Sequence, residues 1–123
     1  MTTTLTGSKV PMEIQTIEAT SLKAEGNNGS AVQSLTSNSG YFATWKGNGN
    51  ISLNINCGGI NAASNVMISI SEYSNISNPV NSRFMGAAKF AVNNICPRAG
   101  GVVVNMDITW TAPLFIYISI LIS

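Results

Sequence analysis

The stretch "ISLNINC", Ile51 to Cys57, decides the fold. Ile51, Leu53, Ile55 and Cys57 take every second position, and Ser52, Asn54 and Asn56 fill the gaps. Successive side chains of an extended strand point to opposite faces, so this spacing makes one dry face and one wet face. A helix, with its 3.6-residue period, would scatter the same apolar residues around its axis. The pattern recurs in "VMISISEY", where Val66, Ile68 and Ile70 alternate with Ser69 and Ser71. It recurs again in "GVVVNMDITW", where Val102, Val104, Met106 and Ile108 oppose Asn105, Asp107 and Thr109.

Working outward, turn residues separate these runs. "KGNGN", Lys46 to Asn50, lies between "YFATW" and "ISLNINC", and its Asn-Gly pair suits the positive φ angles of a tight hairpin. "CPRAGG", Cys96 to Gly101, parts "AAKFAVNNI" from "GVVVNMDITW", and "TAP", Thr111 to Pro113, precedes the last run. "GGINAASN" and "SNISNPVNS" read as longer loops. Six strands are therefore expected, near 41–46, 51–57, 66–73, 86–95, 102–110 and 114–122. "VPMEIQTIEA" adds a candidate strand between Val10 and Ala19. No segment has the length and periodicity of an independent helix. Short strands at this spacing predict an all-β chain, an antiparallel β-sandwich of jelly-roll-like form, with a small closed barrel as the alternative. The chain has 123 residues, enough for one core and too few for two. The expected division is an N-terminal arm over residues 1–20 and a single sandwich domain over 21–123.

The run "APLFIYISILIS", Ala112 to Ser123, departs from the wet-and-dry pattern. Leu114, Ile116, Ile118, Ile120 and Ile122 form one face, and Phe115, Tyr117, Ser119 and Leu121 form the other. The second face is also mostly apolar. A strand dry on both faces needs cover on both, and a two-layer sandwich supplies one. The second cover is either the chain's own 19–40 segment or another copy of the chain. Aromatic side chains are enriched at interface centres, which favours the copy. Phe115, Tyr117 and Leu121 are accordingly the expected subunit interface.

Charged residues make up 9% of the chain, and the net charge is +1. Ser, Thr and Asn supply about a third of it instead. Lys9, Lys23, Lys46, Arg83, Lys89 and Arg98 are scattered, without the clustered cations that a phosphate backbone requires, so nucleic acid is not an expected partner. The apolar ending is about nine residues long against the roughly twenty of a helical membrane span, so no membrane is expected either. The chain starts without a basic and then apolar leader, which points to synthesis in a cytoplasm.

There is no histidine, which removes Ser-His-Asp and Cys-His arrangements and the commonest metal ligand. The acids Glu13, Glu18, Glu25, Glu72 and Asp107 stand singly. Neither a Walker loop nor a dinucleotide or calcium motif is present. The expectation is a protein that is not an enzyme, with no cofactor and no metal. Cys57 continues the dry face of its strand and reads as a buried thiol, and Cys96 ends a strand. The two can pair only if those strand ends meet. Tyr41, Ala43 and Trp45 share one strand face, so Tyr41 and Trp45 are either core side chains or a stacking platform for a glycan.

The polar opening "MTTTLTGSK", the alternating "ISLNINC" and "GVVVNMDITW", and the ending "PLFIYISILIS" together resemble the small virion proteins of tailed bacteriophages. Head decoration (cement) proteins of this group are often trimeric β-folds with extended N-terminal arms that clamp the capsid shell. The resemblance implies a structural protein of a virion, made in the host cytoplasm. It implies that residues 1–20 are such an arm, that the terminal strand lines a homotrimer contact, and that the major capsid protein is the partner. The alternative is a carbohydrate- or receptor-binding sandwich such as the head of a tail fibre.

Overall fold

The structure, a computed structural model, describes residues 14–22 and 39–123. Nine strands, and no helix, are found among them: β1 (Gln15–Glu18), β2 (Thr20–Ser21), β3 (Ser39–Gly47), β4 (Gly49–Asn56), β5 (Val66–Tyr73), β6 (Arg83–Phe84), β7 (Lys89–Arg98), β8 (Gly101–Thr109) and β9 (Leu114–Ile122). They form two sheets. The first has the order β1-β4-β8-β7 and the second β2-β3-β9-β5-β6. All pairs are antiparallel except β1 with β4. The all-β sandwich expected from the alternation is the fold.

The dry faces meet between the sheets. Leu53, Ile55, Val102, Val104, Met106 and Ile108 of the first sheet pack against Ala43, Ile116, Ile118, Ile120 and Ile122 of the second. Each fully buried aliphatic side chain contributes roughly 1.5–3 kcal/mol. β9 occupies the centre of its sheet, paired with β3 over Leu114–Ile122 and with β5 over Ile116–Ile122. That position sets residues of β3 and β5 on either side of each β9 residue from Ile116 to Ile122, on both faces.

Two expected turns take other forms. The Asn-Gly pair does not close a hairpin: β3 and β4 lie in different sheets. Gly49 does have the positive φ, at 86°, but it serves a crossing between layers. Thr111 to Pro113 makes a second crossing, from β8 to β9. The side-chain amide of Asn48 donates to the carbonyl of Trp110 at 2.9 Å and so ties the two crossings together. The turn expected over Cys96–Gly101 is shorter. Cys96, Pro97 and Arg98 extend β7, and only Ala99 and Gly100 (φ 80°) turn. Pro97 is tolerated because β7 is an edge strand and need not donate outward.

Of the expected arm, residues 15–18 and Thr20 lie in β1 and β2, and residues 1–13 fall outside the described residues. β1 lies along β4, and the Ala19 amide donates to the Asn56 carbonyl at 2.9 Å. The chain then steps across to β2 on the edge of the other sheet. Ile17 and Ala19 pack against the core, so this segment clips one side of the sandwich.

Candidate functional site: the outer face of the second sheet

The two outer faces differ in chemistry. On the first sheet, Asn50, Ser52, Asn54 and Asn56 of β4 stand beside Asn105 and Asp107 of β8. Asn50 donates to Asp107 at 2.7 Å, and Asn93 donates to Asp107 at 2.9 Å and to Asn105 at 2.8 Å. Asn93 reaches this cluster because β7 bulges between Val92 and Asn94, which leaves Asn93 unpaired and turns its side chain outward. Those two amides hold the Asp107 carboxyl below its ordinary value. Further along, the Arg98 guanidinium donates to the side-chain carbonyls of Asn54 and Asn56, at 2.6 and 2.7 Å through the same nitrogen. Asn56 in turn donates to Glu18 at 2.7 Å. These side chains bond to one another across the face.

The outer face of the second sheet mixes aromatic and aliphatic side chains with serine, threonine and lysine. Strand alternation places Gly40, Phe42, Thr44 and Lys46 of β3 beside Leu121, Ser119, Tyr117 and Phe115 of β9, in register. Met67, Ser69 and Ser71 of β5 follow on the other side of β9. Phe42 stacks on Tyr117 with ring centroids 5.2 Å apart and planes 4° from parallel. The Arg83 guanidinium lies 4.6 Å from the centroid of the same ring. Tyr73 meets Phe115 at 5.7 Å, and the Lys46 ammonium stands 4.9 Å over Phe115. At exposed sites such cation–ring contacts contribute about 0.5–1 kcal/mol each.

The expected interface residues therefore differ among themselves. Tyr117 is 1% exposed within its own chain, whereas Phe115 and Leu121 are half-buried. Neighbours in the same sheet, Phe42 and Arg83, cover Tyr117; neither a loop nor a second copy is needed for it. Burial pushes its hydroxyl pKa up, and the nearby Arg83 charge pulls it partly back. Toward Leu121 the face opens into a shallow groove of about 410 Å³. Leu22, Met67 and Leu121 stand along it, and Gly40, Ser69 and Ser119 lower its floor. Met67 is 61% exposed and Leu22 is 42% exposed.

The alternation of "YFATWK" could have found Phe42 and Lys46, since they sit opposite the Tyr41–Trp45 face. Nothing local marks Arg83, which reaches Tyr117 only through the pairing of β6 with β5. Tyr41 and Trp45 both pack against the core. The Trp45 indole lies over Gly47 and donates to the Gln15 side chain at 2.8 Å. Cys57 is buried, its thiol pKa pushed up by that burial, and Cys96 is exposed; both are free. Comparison with known proteins finds no matching family model, no matching curated protein and no matching solved structure.

Proposed function

We propose that the protein is a non-enzymatic structural protein of a bacteriophage particle, a capsid decoration (cement) protein. On this reading it works in the virion, binds the major capsid protein and associates as a homotrimer. The observation that carries the reading is the groove of Leu22, Met67 and Leu121 on the outer face of the second sheet. Exposed apolar side chains grouped on one face are a docking feature. The flanking cations Lys46 and Arg83 stand over aromatic rings of the same face. Phe115 and Leu121 would border the contact, with Tyr117 as a rigid support beneath it. The winding fits the jelly-roll form: β3 with β9, and β4 with β8, make one ribbon that bends from sheet to sheet at the Asn48–Trp110 tie.

The test is sedimentation velocity of the purified chain, together with co-sedimentation on undecorated phage shells. Association that weakens at least tenfold in Met67→Lys and Leu121→Lys, with the fold retained, is the expected result. A chain that neither self-associates nor binds shells, or variants that behave like the parent, would overturn the proposal. The alternative of a glycan platform at Tyr41 and Trp45 has less support, because both rings turn toward the core.

A further inference from the structure

The crossing between β3 and β4 imposes two requirements on adjacent residues. Gly49 has φ 86°, which L side chains rarely adopt, and the space where a side chain would stand is empty. Asn48 supplies the amide that donates to the Trp110 carbonyl at 2.9 Å, tying this crossing to the one that follows β8. Together the requirements place an Asn-Gly dipeptide at the joint. Among the described residues, Asn48 is the only asparagine followed by glycine. A bulky following residue shields its own backbone nitrogen, whereas glycine leaves that nitrogen open to the preceding side chain.

We infer that Asn48 is a site of spontaneous deamidation, and that the reaction unties the two crossings. The Gly49 backbone nitrogen loses its proton and attacks Cγ of Asn48. A C–N bond forms and the Cγ–Nδ2 bond breaks. Nδ2 leaves as ammonia, and the product is a five-membered succinimide. Water then opens either carbonyl of that ring and leaves aspartate or isoaspartate. The net change is one amide and one water converted to one carboxylate and one ammonium ion, with no oxidant and no cofactor.

The consequence follows from what Nδ2 does in the intact chain. A carboxylate accepts hydrogen bonds and cannot donate one, so the new group faces the Trp110 carbonyl as acceptor against acceptor. Isoaspartate also adds a methylene to the backbone just before Gly49 pairs with Ile108 and Asn50 with Asp107. Asn50 then loses its alignment with the Asp107 carboxylate, to which it donates at 2.7 Å.

Peptide mapping of the full chain after incubation at mildly alkaline pH tests the site, with the urea-unfolded chain as a clock for the chemistry. The expected result is the mass gain of one deamidation, with an isoaspartate signature, in the peptide that contains Asn48. The conversion is faster at higher pH, because the attacking nitrogen must lose its proton. Asn48 that stays intact in the native chain while the unfolded chain converts would overturn the inference. The variant Asn48→Asp tests the consequence without the chemistry. Its thermal midpoint is expected to fall by a few degrees, and an unchanged midpoint would overturn the untying.

Discussion

A tyrosine on the outer face of a two-layer sandwich ordinarily keeps its ring edge in water. Tyr117 does not, because Phe42 stacks on one side of it and Arg83 lies over it. Phe42→Ala removes the stacked partner and is expected to cost about 1–3 kcal/mol, read from urea unfolding, since the ring is only half-buried. Gly101 shows a tighter constraint. A side chain there would overlap the Ile55 carbonyl oxygen and the Arg98 guanidinium. Gly101→Ala is therefore expected to lower the thermal midpoint by displacing Arg98 from Asn54 and Asn56. Asp107 makes a pH prediction. Its folded pKa lies below the ordinary 3.8 because Asn50 and Asn93 donate to its carboxylate. The stability it adds is therefore present above that value and is lost as pH falls through the lower, folded one. The difference in thermal midpoint between the parent and Asp107→Asn should be constant near neutral pH and should change only in acid below 3.8.

At the scale of elements, the bulge in β7 is separable from the strand. Val92 faces Met106 and Asn94 faces Asn105, with Asn93 between them and unpaired. Deleting Asn93 would bring Val92 and Asn94 together in unbroken alternation, leaving Phe90, Val92 and Ile95 on the core side. The shortened chain is expected to fold, with a loss of about 1 kcal/mol for the bonds from Asn93 to Asn105 and Asp107, measured by thermal or urea unfolding. Deleting Val92 instead would put Asn93 on the core side in its place, and that chain is expected to be insoluble. The six long strands were legible in the sequence, whereas the two-residue strands β2 and β6 were not. The bounds 66–73 and 114–122 coincide with β5 and β9, because Ser74 stops the first and Pro113 precedes the second. The expected 86–95 is displaced toward the N-terminus of β7, because Pro97 reads locally as a stop but lies on an edge that accepts it.

At the scale of the whole molecule, β9 holds the second sheet together. It pairs Ile122 with Ser39 on one side and with Val66 on the other. Removing β9 would leave β3 and β5 without their shared partner and uncover the inner face of the first sheet. A chain cut before Leu114 is expected to lose its β-type circular dichroism, whereas one lacking only Ser123 should keep it. Such distant pairing makes loop closure slow, so refolding is expected on the millisecond-to-second scale of β-sandwiches. The candidate docking face belongs to this scale as well. Leu22, Met67 and Leu121 come from three separate strands or strand ends and meet only when β2, β3, β9 and β5 lie side by side. Of that face, the sequence singled out Phe115, Tyr117 and Leu121 because they share one strand. It was silent on Met67 and Leu22, whose neighbours across the sheet are remote in the chain.

The alternation of apolar and polar residues was sufficient to determine that this chain is all-β, where its main strands run and which side of each is dry. That information is local, because a two-residue period needs no knowledge of the partner strand. Tertiary structure alone decided which strands pair, that the Asn-Gly pair crosses between sheets, and that Tyr117 is covered by its own neighbours. The physical reason is that a glycine with positive φ serves a hairpin and a crossing equally well. Likewise, an apolar side chain loses its water to whichever surface the completed sheet brings beside it.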